Sequence, residues 1–390
     1  MAEEPNKITE NSRPEAAASK PVRWFMLAVL LVACAGYFAG ERIERTFGRH
    51  WNGLGGAATT EQKHLSHSQS GDEAFAKKHY DQAVSEYRLA LKDQDSGEAH
   101  EHLGEALLKQ GNPEAAFAEF QASLRLDAAC VNAASAWGQA LAAEGKPEEA
   151  ARVLQDALQR NAESGLLHYN LATTLLQMQI NAEGRRRMAV AAGQTEVAQS
   201  AETEVKGLAT NALRHFATAS RNKFDSPAFW GDYGQLLNQM GKYPEAEGCL
   251  VRSVAEDASV AAAHFQLALA EDHLGQYAEA IEHYEKVLQL TPNDPDTLNA
   301  LALLYASATN AEVRTPKMAV QLATRACDAT TDQNARYMDT LARSCAADGD
   351  FFQAITWEDK AIRRATQLGD KDLARELQER EELFMDHKTE

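Results

Sequence analysis

The stretch Leu103-Gly104-Glu105-Ala106-Leu107-Leu108-Lys109-Gln110-Gly111-Asn112-Pro113-Glu114-Ala115-Ala116-Phe117-Ala118-Glu119-Phe120-Gln121-Ala122-Ser123 reads as two helices and the turn between them. Small and apolar residues at 103, 104 and 107, then at 116, 120 and 123, recur at helical spacing. Gly111 ends the first helix, where a left-handed backbone needs a residue without a Cβ. Two residues on, Pro113 opens the second helix, where a missing N–H loses no partner. The phrase returns as Trp137-Gly138, Leu141, Gly145-Lys146-Pro147, Ala150, Leu154 and Ala157, and again as Leu267-Ala268, Gly275-Gln276-Tyr277, Ala280, Tyr284 and Pro292.

Three series of small residues move together along the chain. Gly71, Gly104, Gly138, Ala172, Gly234, Ala268, Ala302 and Ala342 fall 33, 34, 34, 62, 34, 34 and 40 residues apart. Ala83, Ala116, Ala150, Ala212, Ala246, Ala280, Ala319 and Ala354 follow the same course, as do Ala90, Ser123, Ala157, Ala219, Ser253, Val287, Ala326 and Ala361. The repeat closely resembles the tetratricopeptide repeat, a helix–turn–helix unit of about 34 residues. About eight copies cover roughly residues 64–368. The resemblance implies an all-α fold: an α-solenoid, a right-handed superhelix of about eight units whose first helices line a concave groove. Leu373, Leu377 and Phe384 in the charged tail mark 369–390 as a closing helix over the last unit.

Composition agrees. The 390 residues include 71 alanines against 13 Phe, 10 Tyr and 5 Trp, which favours closely packed helices over a β-sandwich or barrel. The net charge of −18 is unevenly placed: residues 1–63 carry +1 and residues 64–390 carry −19. Such an acidic body repels phosphate backbones, so no nucleic-acid role is expected.

Two departures interrupt the period. The fourth repeat is split by 28 extra residues, with the insert at 180–208 carrying Arg185-Arg186-Arg187. It reads as a solvated loop, as a helix extension, or as a docking element in which a basic triplet stands out on an acidic body. A smaller insert lies at 310–316 in the seventh repeat. The phrases Ala319–Cys327 and Asp339–Ala342 resemble a variant ending of bacterial repeat proteins, which implies a bacterial source.

Near the start, Trp24 to Gly40 is a 17-residue run without a charge. At about 1.5 Å per residue it approaches the thickness of a bilayer core. Aromatics Trp24 and Tyr37 and the flanking Arg23 and Arg42 suit interfacial positions. A retained single-pass anchor fits it best; a cleaved signal peptide and a lipoprotein box ending at Cys34 are the alternatives. Residues 1–23 then form a cytoplasmic, disordered tail and 41–63 a linker. Four basic residues before the span against three just after it lean towards an inner-membrane protein with its body outside the cytoplasm.

The cysteines Cys34, Cys130, Cys249, Cys327 and Cys345 form no metal-ligand spacing. Four of them read as small buried apolar residues within helices, and Cys327 and Cys345 fall in neighbouring helices as a candidate oxidisable pair. Catalytic motifs and phosphate loops are missing from the sequence, and His100-Glu101-His102 or His64 with His67 make poor metal clips. The expectation is a non-catalytic protein with no cofactor and no metal. By the family register, its groove carries Glu98, Glu101, Glu105, Ser135, Gln139, Tyr169, Thr173, Gln235, Phe265, Leu269, Asn299 and Leu303. The acidic residues replace the cations with which chaperone-type members of the family clamp a carboxylate. An extended or helical peptide with basic and apolar residues is the expected partner. The function expected is a membrane-anchored scaffold; an assembly factor for envelope or secreted proteins, or an enzyme subunit with an unrecognised site, are the alternatives.

Overall fold

A computed structural model of the chain describes residues 59–389 apart from Asp332. The expected anchor from Trp24 to Gly40, with Cys34 and both flanking segments, lies outside the described residues. Among the described residues, no helix is long and apolar enough to cross a membrane. The chain divides after Ser66, inside the first helix, and the compact unit that holds the repeats runs from His67 onward.

Seventeen helices form eight antiparallel pairs and a closing helix among the described residues. The first four pairs are α1 (Thr60–Ala76) with α2 (Tyr80–Asp93), α3 (Gly97–Lys109) with α4 (Pro113–Leu126), α5 (Val131–Ala143) with α6 (Pro147–Leu158), and α7 (Gly165–Ala191) with α8 (Thr195–Arg221). The next four are α9 (Pro227–Gln239) with α10 (Tyr243–Glu256), α11 (Ala261–His273) with α12 (Tyr277–Leu290), α13 (Pro295–Ser307) with α14 (Pro316–Ala329), and α15 (Ala335–Ala347) with α16 (Phe351–Gln367). The closing helix α17 (Lys371–Met385) packs on α16.

Local chemistry sets each boundary. Ser96, Ser164, Ser226, Asp294 and Asn334 cap first helices through their side-chain oxygens. Several first helices end in a reversed turn: Gly111 has φ +85°, and the Asn112 N–H returns to the Leu107 carbonyl at 2.9 Å. The same bond joins Lys146 to Leu141 and Asp350 to Cys345, each at 2.9 Å. Pro113, Pro147 and Pro316 then open second helices.

The small-residue series marks where the two helices of a pair touch. A Cβ added at Gly104 would lie 2.7 Å from the Phe120 ring, and one at Gly138 would lie 2.8 Å from Leu154. Where alanine stands instead, at Ala172 and Ala268, both it and the facing Phe216 or Tyr284 are fully buried. Contacts between pairs bury the rest. One cluster runs through Leu154, Leu171, Phe216, Phe229 and Leu250, another from Tyr284 through Leu341 to Leu377 and Phe384 under the closing helix. Stability is therefore shared between neighbouring units.

The insert in the fourth repeat is a helix extension: α7 and α8 have 27 residues each and turn at Gly193, φ +71°. Its basic triplet does not stand out. Arg185 donates to both carboxylate oxygens of Glu204 at 2.8 Å, and Arg186 and Arg187 both donate to Glu183. Continuing the helix puts Glu183 three and four residues from those arginines, so local pairing neutralises them. Cys130 also departs from expectation, standing at the cap before α5 rather than within a helix. Cys327 and Cys345 are buried in one core cluster as separate thiols.

Candidate functional site

The residues expected to line a groove fall on three registers of the first helices, and the structure gives those registers different depths. Glu98, Gln139 and Gln235 are exposed, while Glu105, Thr173, Leu269 and Leu303 are half-buried. The register between them is sunk: Glu101 and Ser135 are buried, and Tyr169, Phe265 and Asn299 are half-buried.

Glu101, Ser135 and Tyr169 bond to the next repeat, while Asn299 Oδ1 is buried without a hydrogen-bond partner. Cys130 Sγ donates to Glu101 at 2.8 Å. Asn170 donates to Ser135 Oγ at 2.5 Å and accepts from Gln139 at 3.0 Å, joining α7 to α5. The Tyr169 hydroxyl donates to Asp232 of α9 at 2.9 Å, and its ring stacks on Phe224 at 5.2 Å. Thr173 donates to its own helix at the Asn170 carbonyl. Phe265 meets Tyr284 edge-on at 5.8 Å. These side chains form a floor, with Glu98, Gln139 and Gln235 standing above it.

The sequence reading missed the register one residue further on. Asn170, Asp232 and Gln266 occupy it, and they carry the links between repeats; Asn238 reaches the Gln266 carbonyl at 2.7 Å. Their common spacing was a usable signal, but it repeats less visibly than the glycines because the residue type changes. In the seventh repeat Asp296 accepts from Tyr337 at 2.6 Å. In the eighth, Asp339 stands where Glu101 stands in the second, and Arg380 of the closing helix donates to it at 2.5 Å.

Burial sets the electrostatics of this face. It raises the Glu105 carboxyl above its ordinary value, helped by Glu101 nearby. Burial likewise raises Asp232, against the hydrogen bond from Tyr169. The Tyr169 hydroxyl is raised by burial and then by Asp232. Carboxylates held in this way gain when a cation arrives.

The histidines of the sequence motif face separate sets of carboxylates. His100 lies 2.5 Å from Glu119 and 2.8 Å from Asp95, while His102 lies 3.3 Å from Asp72. Among the described residues no group of three or more His, Cys, Asp or Glu is placed to hold a metal ion. A cleft of about 990 Å³ opens where the extension of α7 faces the ends of α16 and α17. Arg186, Arg187 and Arg375 share it with Glu183, Asp372 and Glu376, so it favours neither charge.

Stacked helical hairpins with a rigid polar floor define a class, the α-solenoids that bind through their first helices. Residues 69–129, 135–200 and 232–295 match the family model described as tetratricopeptide repeat, and the chain belongs to that family. No curated protein matches its sequence. A solved structure from the functional characterisation of pilF of Pseudomonas aeruginosa is similar, with TM-score 0.51 and 17% identity, covering 62% of this chain and 98% of that one. YrrB, described as a TPR protein with an unusual peptide-binding site, has TM-score 0.41 and 18% identity, covering 55% and 96%. TTC0263, a thermophilic TPR protein of Thermus thermophilus, has TM-score 0.37 and 20% identity, covering 52% and 95%. The likeness to the first is one of fold.

Proposed function

We propose that the chain is a non-catalytic scaffold that binds a protein or peptide segment along the open face of its first helices. The segment it takes is extended or helical, with basic residues set among apolar ones. The observation that carries this reading is the pairing of exposed Glu98, Gln139 and Gln235 with a floor closed by hydrogen bonds between repeats. Such a floor is preorganised, so binding orders the partner rather than the scaffold. Glu98 and Glu105 supply charge for the basic residues, and Leu269 and Leu303 supply apolar contact further along.

The test is a calorimetric titration of a Lys- and Leu-rich peptide into the full chain and into a Glu98→Lys, Glu105→Lys variant. Affinity is expected to fall about tenfold or more, and the difference to shrink with salt. Equal affinity for both proteins overturns the assignment of this face. The reading extends to a single-pass inner-membrane anchor at residues 24–40, with the body outside the cytoplasm. Protease added to intact spheroplasts should degrade the body; protection of the body overturns that topology.

A further inference from the structure

Four repeats carry a histidine at one position of the first helix, and each meets the second helix of its own pair. His67 Nδ1 lies 2.7 Å from Glu86 and His100 Nδ1 lies 2.5 Å from Glu119. In the fourth and sixth repeats the partner is a second imidazole: His168 Nδ1 lies 2.8 Å from His215 Nδ1, and His264 Nδ1 lies 3.0 Å from His283 Nδ1. Both pairs have ring centroids 5.1 Å apart at 32°. The backbone fixes their tautomers. His168 Nε2 faces the Ala162 carbonyl at 3.0 Å, so it carries the proton and its Nδ1 accepts from His215. His264 is held in the same way by the Ala258 carbonyl at 3.2 Å.

The two pairs differ in their surroundings. His283 has Glu282 beside it and the Glu271 carboxylate 3.5 Å from its Nε2. His215 has Arg214 beside it, and a cleft of about 450 Å³ opens there, lined by His168, Arg214, His215, Ala217, Thr218 and Arg221. No carboxylate lines this cleft. Arg221 donates to Thr218 Oγ1 at 3.0 Å, and neither Arg214 nor Arg221 meets a carboxylate among the described residues. Arg221 sits in the last turn of α8, where the helix end favours a cation. Arg214 lies two turns earlier and has no such reason to be there.

The geometry points to this cleft as a binding site for a phosphate group. Arg214, Thr218 and Arg221 follow one face of α8, so two guanidinium forks address the same space, while the Thr218 hydroxyl donates to the Arg214 carbonyl at 2.9 Å and accepts from Arg221. His215 completes the donor set once it takes up a proton. Burial, His168 of α7 and Arg214 hold it down, to about 4, and no carboxylate acts on it from either helix. A dianion in the cleft reverses that balance, because an opposite charge favours imidazolium. The proton goes to His215 Nε2, while its Nδ1–H goes on donating to His168 Nδ1, so neither ring changes tautomer. Above the second pKa of the phosphate, about 6–7, binding is therefore coupled to proton uptake and strengthens as pH falls from about 8 towards about 7; below that the proton only passes from the phosphate to His215.

The experiment is a titration of inorganic phosphate into the full chain with isotope-labelled histidine, followed by NMR at about pH 6 and about pH 8, with chloride at matched ionic strength. The ring signals of His168 and His215 are expected to shift saturably, more at the lower pH, while those of His264 and His283 stay in place. An Arg214→Gln, Arg221→Gln variant is expected to bind about tenfold more weakly or worse. Phosphoserine and ribose 5-phosphate form the other arms: tighter binding than inorganic phosphate assigns the site to a phosphomonoester, equal or weaker binding to the free ion. Chloride giving the same shifts, both histidine pairs moving alike, or an unaltered response in the variant overturns the proposal. If the double variant does not fold, Arg214→Lys keeps the charge but loses the fork, and unchanged phosphate affinity in it is the overturning result.

Discussion

The Tyr169 hydroxyl donates to Asp232 Oδ2 at 2.9 Å, bonding the fourth repeat to the fifth across the point where the period lengthens to 62 residues. The α7–α8 extension changes the spacing in sequence but leaves this hydrogen bond between first helices in place. Tyr169 also lies against Phe216, Phe224 and Phe229, so one side chain joins the polar floor to the aromatic core.

Tyr169→Phe keeps that ring packing and removes the donor. Asp232 is half-buried with its pKa already raised by burial, so losing its partner is expected to cost about 1–3 kcal/mol. Asp232→Asn removes the burial cost of the charge and is expected to change stability by less than Tyr169→Phe. Urea unfolding of the two variants checks the order.

Gly138→Ala sets two effects against each other. Alanine gains about 1 kcal/mol in helix propensity, but its Cβ would lie 2.8 Å from buried Leu154, and overpacking of this kind costs about 1–3 kcal/mol. Net destabilisation is expected. Combining it with Leu154→Ala should cost less than the sum of the two single changes, which a double-mutant cycle of unfolding free energies measures.

Two buried groups are expected to leave stability nearly level between about pH 4.5 and 6.5 and to lower it above that range. Burial, then Glu247, Glu279 and Glu282, raises Glu271 from 4.5 to about 8. Its contribution is complete below about 4.5 and declines as pH rises towards about 8, because the folded chain holds a proton that the unfolded chain releases. His215 has the opposite sense: lowered from 6.5 to about 4, it contributes fully above 6.5 and progressively less as pH falls towards 4. Thermal midpoints should lose the fall above about pH 6.5 in Glu271→Gln, and in His215→Gln they should decline continuously from about 4.5 to about 8.

The closing helix rests on a charged cluster. Glu358 is fully buried with both carboxylate oxygens unpartnered, and burial followed by the nearby Asp339 raises its pKa. Glu358→Gln is therefore expected to be neutral or stabilising near pH 7. Arg380→Met removes the guanidinium that donates to Asp339, leaving Arg343 as the cation acting on it, and is expected to cost about 2–4 kcal/mol, somewhat below a fully buried pair because the Arg380 side chain is 20% exposed. Denaturant midpoints of the two variants are expected to move in different directions or by very different amounts.

Much of the fold was legible because its signals are local. Gly111 followed by Pro113 encodes a helix end and a helix start within three residues. Gly104 facing Phe120 encodes a close approach that any larger residue would obstruct. The depth of each residue on the expected binding face was not legible. Glu101 and Glu105 read as equals; one is buried against Cys130 and the other is half-exposed. Arg185, Arg186 and Arg187 looked unopposed until continued helix brought Glu183 and Glu204 to them. The histidine pairs were hidden by spacing: three of the four cross-helix partners lie 19 residues apart, while His168 and His215 lie 47 apart because the insert falls between them.

The sequence by itself determined the period, the turns and the small residues at helix contacts, since each depends on a backbone conformation or on a gap between two helices of one unit. Only the tertiary structure decided which polar side chains close the floor, which stand above it, and why His215 sits among arginines while His283 sits among carboxylates. Burial and local charge are sums over neighbours drawn from several units, and no single repeat contains the terms of that sum.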